Sequence, residues 1–213
     1  MRRAQFQKGL PMPSIRSLCV YCGSQEGKNP AYAEAGHQLG REMAEANIEL
    51  IYGGGAKGIM GAVADGVMSA GGRATGIIPR FLVEKESSGA SLERLSESIL
   101  TEDMHERKHA MFERSDAFVA LPGGIGTLEE IIEIMTWAQL GRHAKPIAFL
   151  NVGGFWDPLL TLLDHMRGEG FIHTANLVRP VVVDDAGQVI AAINKAASEA
   201  AEAKRNGADI ARM

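Results

Sequence analysis

Short segments that are apolar on both faces alternate with longer stretches of helical period, and this alternation constrains the fold more than any other feature. The short segments are residues 16–22, 48–52, 73–78, 98–100, 116–121, 146–150 and 177–183. Between them the spacing predicts helices over 30–46, 59–70, 104–114, 128–140, 156–169 and 187–204, with a short helix and loop in the polar stretch 81–96. Runs such as Leu18-Cys19-Val20-Tyr21-Cys22 have no polar face, which suits a parallel sheet covered on two sides. The predicted class is therefore α/β: a Rossmann-like, doubly wound parallel sheet with helices on both faces. A chain of 213 residues suffices for one buried domain and is short for two. One domain is expected over 15–205, between a flexible N-terminal arm (1–14) and a tail (206–213).

Several function classes are disfavoured by composition. The formal net charge is −4, so no basic field invites nucleic acid or an anionic membrane. No apolar run approaches the length of a membrane span. Residues 1–14 carry Arg2, Arg3 and Lys8 but no apolar core, so they do not read as a secretory signal, and a cytoplasmic protein is expected. Cys19 and Cys22 have C-x-x-C spacing but share one strand. That puts their α-carbons roughly 10 Å apart on opposite faces, beyond the ~7 Å a disulfide tolerates, so no redox role is expected.

Glycine is in excess, at 25 residues, and much of the excess lies in turns at strand ends. In an open α/β sheet ligands bind outside the carboxyl ends of the strands. Three such turns look built for an anion: Cys22-Gly23-Ser24-Gln25, Gly53-Gly54-Gly55-Ala56-Lys57-Gly58, and Pro122-Gly123-Gly124-Ile125-Gly126-Thr127. Glycines let the backbone approach a ligand, and free amides at a following helix start attract phosphate. One such turn is more often a tight connection; three at one edge favour a nucleotide. Gly53, Gly55 and Gly58 match G-x-G-x-x-G, but the next strand ends Gly76-Ile77-Ile78-Pro79-Arg80 without the acid a dinucleotide ribose requires. NAD is disfavoured on that ground. A Walker A loop is excluded because Gly58, not Ser or Thr, follows Lys57.

The run from Pro122 to Glu130 is the most specific. Thr127 and Glu130 have capping-box spacing, so Glu130 reads equally as a cap or as a functional carboxylate. A second anomaly lies upstream, where Met104, Arg107, Lys108 and Met111 share one helix face. Two cations on an inward stripe need an anionic partner or exposure at a cleft rim: either they snorkel or form a structural ion pair, or they wall a bound phosphate or departing base. The same helix contains His105-Glu106-Arg107-Lys108-His109, which matches the H-E-x-x-H of zinc hydrolases, with Glu129 further on. No substrate-binding edge strand accompanies it, and no metal is expected. His37, His143, His165 and His173 are scattered and read as surface or satisfied core residues. Trp137, with Ile131 and Ile134, reads as core or dimer-interface packing.

Met-His-Glu-Arg-Lys (104–108) followed by Pro-Gly-Gly-Ile-Gly-Thr-Leu-Glu-Glu (122–130) resembles the Lonely Guy (LOG) phosphoribohydrolase family, which carries M-H-x-R-K and P-G-G-x-G-T-x-x-E. The likeness extends over Cys22-Gly23-Ser24, 52–61 and 136–151, and spans roughly residues 15–185. Family members have often been labelled lysine decarboxylases, although no lysine here sits in a recognisable cofactor-aldimine context. The resemblance implies a Rossmann-like homodimer, without cofactor, that releases a free base and ribose 5-phosphate from a nucleoside 5′-monophosphate. Cytokinin riboside monophosphates, and in some members AMP, are the implied substrates. The family's catalytic arginine and glutamate fall on Arg107 and Glu130. Its ligand-contacting positions fall on Lys108, the turn Gly124, Ile125, Gly126 and Thr127, and Thr136; Gly23, Ser24, Gly54, Gly55, Met104, Gly123 and Glu129, in the same turns and helix, complete the expected substrate-binding set.

Cleavage of an N-glycosidic bond develops positive charge on the ribose, which a carboxylate stabilises directly or by orienting water. Glu130 is the expected carboxylate. Arg107 would stabilise negative charge on the leaving base or fix the phosphate, because a guanidinium does not readily donate its proton. The alternative is a non-catalytic carrier of a nucleotide or a molybdopterin-type cofactor, which would keep the phosphate turns but have no use for an Arg107/Glu130 pair.

Overall fold

A computed structural model of the chain describes residues 15–87, 89–172 and 179–210, the side chains of 204–210 excepted. Its elements follow the predicted alternation. They are β1 (Ser17–Tyr21), α1 (Ala31–Glu45), β2 (Glu49–Tyr52), α2 (Gly58–Ser69), β3 (Ala74–Pro79), the short α3 (Val83–Glu86) and α4 (Gly89–Glu93), and β4 (Glu97–Thr101). The second half continues with α5 (Met104–Glu113), β5 (Ala117–Ala120), α6 (Ile125–Gln139), β6 (Ile147–Leu150), α7 (Asp157–Gly168), β7 (Val181–Val183) and α8 (Ala186–Ile210).

The strands form one sheet in the order β4-β3-β2-β1-β5-β6-β7, with every neighbouring pair parallel. The chain winds outward from β1 on one side and then resumes at β5 on the other. The switch point therefore lies between β1 and β5, where an open α/β sheet leaves a crevice for a ligand. Side chains alternating along the strands feed two separate cores. Leu18, Val20 and Cys22 pack with α1, α2 and α8 residues such as Leu39, Val63 and Val189. Cys19 and Tyr21 face the opposite layer, with Met111 of α5, Ile131 and Ile134 of α6 and Trp156. The two cysteines thus lie on opposite faces as free, buried thiols, and burial pushes Cys19 up to about 12. No helix among the described residues is long and apolar enough to cross a membrane.

Two boundaries differ in ways that bear on function. α6 starts at Ile125 rather than at 128, directly after the glycine turn, with Gly124 as its N-cap and no side-chain cap. Thr127 is therefore the third residue of the helix, and the expected capping box with Glu130 does not form. The physical reason is local: the Thr127 side chain lies against Gly123, where an added Cβ would come 2.2 Å from Thr127 Oγ1. The side-chain cap belongs to α5 instead. Asp103 accepts from the Glu106 amide at 2.8 Å, and Glu106 Oε2 accepts from the Glu102 amide at 2.8 Å. At the other end of the chain α8 runs through Ile210, where the spacing predicted a helix over 187–204. The expected arm over 1–14, the start of the strand expected from 177, and the last three tail residues lie outside the described residues.

Candidate active site

The three glycine turns follow β1, β5 and β2, which are neighbours in the sheet, and hydrogen bonds tie them into one floor. The Gly23 amide donates to Pro122 O at 3.0 Å, and Gly23 O accepts from the Ile59 and Met60 amides at 3.1 and 3.2 Å. Gly58 has a positive φ of 60°, and a Cβ there would lie 2.4 Å from the Ser24 carbonyl carbon, so this crossing admits only glycine. Gly124 and Gly126 differ. Their added Cβ atoms would meet nothing within 4 Å, and neither has a positive φ. The fold itself has no need of glycine at either position; the exposed surface there is left open for something else. Leu128 makes the first helical bond, to Gly124 O at 3.0 Å, so the amides of Ile125, Gly126 and Thr127 have no partner in the helical ladder. Bare amides at the positive end of the α6 dipole make an anion site.

Arg107 projects from α5 beneath this floor. It is 6% exposed, its Nη2 lies 3.8 Å from Glu130 Oε1, and its Nη1 donates to Met104 Sδ at 3.7 Å. Gly53 makes room for it: a Cβ on Gly53 would stand 2.1 Å from Arg107 Nη2. Arg107 Nε is buried without a partner. Burial pushes the Glu130 carboxyl up to about 7, with Arg107 pulling downward and Glu129 and Glu86 adding to the rise. The pair is thus largely shielded from water, charged on one side and poised to titrate on the other, a combination that marks functional sites.

Glu86 joins this site, and sequence reasoning missed it. It ends α3, its carbonyl accepts from the Ala56 amide at 2.9 Å, and its Oε2 is buried without a partner. The short helix carries Glu86 over the Gly54–Gly55 turn. In sequence it is one of two acids in Val83-Glu84-Lys85-Glu86, where no period distinguishes it from a solvated charge. A buried acceptor and a buried donor (Arg107 Nε), both unsatisfied, are costly unless a polar ligand completes them.

Other expected site residues fall out differently. Lys108 and Glu129 face one another: Lys108 Nζ lies 2.7 Å from Glu129 Oε1 and 3.1 Å from Glu133 Oε2. The structural ion pair weighed for Lys108 is therefore present, and it commits two of the three ammonium protons. Met104 borders the site through Arg107. Gly23, Ser24, Gly123 and Gly124 line a 280 Å³ cleft with Tyr32 and Phe155. Thr136 does not join them within one chain. It lies on the exposed side of α6, bonds back to Ile132 O at 2.8 Å, and borders an apolar groove against α7. His105 and His109 are exposed, and Glu106 is occupied in capping, so the zinc pattern is not assembled. His143 is half-buried with both ring nitrogens engaged: Nδ1 accepts from the Lys145 amide and Nε2 faces Ile134 O at 2.9 Å, with burial lowering its pKa.

A family model described as "Possible lysine decarboxylase" matches residues 60–193. The site does not fit that description. Decarboxylation through an aldimine needs an amine that can become neutral, and partial burial of Lys108 is outweighed by Glu129 and Glu133, which raise its pKa. The chain is 44% identical over 86% of its length to the probable cytokinin riboside 5′-monophosphate phosphoribohydrolase LOG4 of Oryza sativa subsp. japonica, covering 79% of that protein. It is 47% identical over 79% of its length to the cytokinin riboside 5′-monophosphate phosphoribohydrolase LOG7 of Arabidopsis thaliana, covering 76% of that protein. Among solved structures, a molybdenum cofactor binding protein from Rippkaea orientalis superposes with a TM-score of 0.61 at 22% identity, covering 86% of this chain and 98% of that one. The Moco carrier protein from Chlamydomonas reinhardtii gives 0.62 at 21%, with 86% and 98% covered. At that identity the likeness is one of fold alone.

Proposed function

Because the chain belongs to the family of the plant cytokinin riboside 5′-monophosphate phosphoribohydrolases, we propose that it hydrolyses the N-glycosidic bond of adenine-type nucleoside 5′-monophosphates. The products are the free base (a cytokinin or adenine) and ribose 5-phosphate. The observation that carries this reading is the buried Arg107–Glu130 pair, 3.8 Å apart, beside a glycine turn whose open faces the fold itself does not require.

In this mechanism the 5′-phosphate is held by the Ile125, Gly126 and Thr127 amides, with Gly23, Ser24, Gly123 and Gly124 shaping its cleft. Remote binding energy of this kind fixes the ribose over the catalytic pair. As the C1′–N bond breaks, its electron pair goes to the base and positive charge develops on the ribose. Glu130, as a carboxylate, stabilises that charge and takes a proton from the water that attacks C1′; that proton then passes to the departed base nitrogen, which yields the neutral base and restores the carboxylate. Arg107 offsets the charge on the departing base without donating its own proton. Glu86 supplies a further acceptor for the sugar hydroxyls or the base amine. Gly54 and Gly55 form the backbone wall between Glu86 and Arg107, and Met104 backs the guanidinium.

The same reading includes a homodimer. The face between α6 and α7 is a groove of about 720 Å³ lined by Leu128, Ile132, Met135, Leu159 and Leu163, with Leu162 and Met166 exposed on its rim. A second copy would cover it, together with Thr136 on its border.

Purified protein incubated with AMP and with isopentenyladenosine monophosphate should release base and ribose 5-phosphate in equal amounts, read by chromatography. Nucleotide that binds and stays intact would replace this reading with the carrier.

A further inference from the structure

The catalytic pair does not hold itself together. Arg107 and Glu130 approach to only 3.8 Å, too far for a hydrogen bond, although Arg107 is buried and Glu130 nearly so. Their chain neighbours do make firm bonds. Lys108 follows Arg107 on α5, Glu129 precedes Glu130 on α6, and Glu133 stands one turn beyond Glu129 on the same face of α6. Lys108 Nζ reaches both carboxylates, at 2.7 and 3.1 Å, and its side chain is only 16% exposed. Consecutive helical side chains leave the axis about 100° apart, so fixing the rotation of each helix at Lys108 and Glu129 also fixes the direction of Arg107 and Glu130. Glu133 has no part in the reaction as described, and it lies away from the glycine floor.

We propose that Glu133, together with Glu129, acts through Lys108 to set the register of α5 on α6 and thereby holds Arg107 against Glu130. Glu133 is a positioning residue, not a catalytic one. This inference rests on the reading of Arg107 and Glu130 as the catalytic pair. The two-carboxylate clamp explains why a lysine stands on an inward helix face with its charge already matched. It also explains why α6 carries a second acid four residues after Glu129. One carboxylate would suffice to neutralise Lys108; two, from successive turns, fix where along α6 the ammonium sits.

The test is a kinetic cycle of Glu133→Gln, Lys108→Met and the double variant beside the wild type, with AMP as substrate. Glu133→Gln is expected to lower kcat roughly tenfold while KM changes less than about twofold, since the reacting groups are misplaced by a fraction of an ångström. In the Lys108→Met background the same substitution is expected to have no further effect. Unchanged kcat in Glu133→Gln, or an equal loss in both backgrounds, would overturn the proposal. Carbon NMR titration of the Glu130 carboxyl, assigned by its loss in Glu130→Gln, gives a readout that needs no turnover. Glu133→Gln should move that titration upward, because the lost opposition of Arg107 to the burial of Glu130 outweighs the direct lowering from removal of the Glu133 charge; when Lys108 is Met, only that lowering should remain. Wild-type protein that releases no base refutes the hydrolase reading alone. A Glu130 titration unmoved by Glu133→Gln refutes the positioning.

Discussion

Replacing Glu130 by Gln should remove a pH-dependent penalty on folding at the same time as it removes activity. The carboxyl is held up at about 7 in the folded chain, against 4.5 for an ordinary glutamate, because burial outweighs Arg107. Between those two values the native state binds more protons than the unfolded state, so wild-type stability falls as pH rises through the window. The full penalty is reached above the folded value and is absent below the unfolded one. A difference of this size is worth roughly 3 kcal/mol over the whole range, and about 2 to 3 kcal/mol of it lies between pH 5 and pH 8. Glutamine does not titrate. The variant also leaves Arg107 without its carboxylate, which costs stability, but the guanidinium is charged throughout and that cost is the same at every pH. Subtracting wild-type from variant unfolding free energy therefore isolates Glu130. In urea unfolding followed by tryptophan fluorescence, that difference should rise by about 2 to 3 kcal/mol from pH 5 to pH 8. Parallel stability curves for the two proteins would refute the reasoning, because they would mean that Glu130 titrates alike in the folded and unfolded chain.

On the proposed mechanism the same carboxyl should set the pH dependence of turnover. Base release from AMP should fall about tenfold per pH unit below roughly pH 7, and a rate still flat at pH 5 would remove Glu130 as the required carboxylate. Gly53→Ala drives a methyl to within 2.1 Å of Arg107 Nη2, so the guanidinium must shift. A loss in kcat on the order of a hundredfold is expected, and near-normal turnover would show that the placement of Arg107 does not matter. Gly126→Ala adds a methyl inside the first turn of α6 that touches nothing in the free protein, so the unfolding midpoint should stay the same or rise slightly while KM for AMP increases about tenfold or more. Unchanged KM would place the phosphate elsewhere. Leu162→Glu, on the rim of the α6–α7 groove, should shift the sedimenting species from dimer to monomer; identical sedimentation would mean that this face is not the interface.

Much of the candidate site is legible in the sequence because its logic is local. A glycine turn at the end of a strand, and a cation on an inward helical face, are patterns of neighbouring residues, and Arg107 stands in the core layer its spacing implied. Glu130 was ambiguous for a local reason as well. Spacing from Thr127 suggested a cap, but whether a threonine caps a helix depends on where the preceding turn hands over, and here Thr127 is drawn under Gly123. Glu86 was invisible because nothing in a charged four-residue stretch tells which acid will be folded back over a distant turn. Lys108 and Glu129 were both expected to touch ligand, yet they touch each other, since pairing between residues 21 apart on different helices is decided by how the helices pack.

What the sequence determined by itself is the class of fold and the chemistry on offer. Strands without a polar face require a sheet covered on both sides, and glycine turns at the ends of β1, β2 and β5 supply bare amides wherever those strands lie. Only the tertiary structure decided that these three strands are neighbours at the switch point. It also decided that Arg107 is separated from Glu130 by 3.8 Å rather than neutralised by a direct bond, and that the acid so placed is buried enough to titrate near 7. Residue type fixes what a group can do, whereas its proton affinity and its partner are properties of the surroundings, and those exist only once the chain has folded.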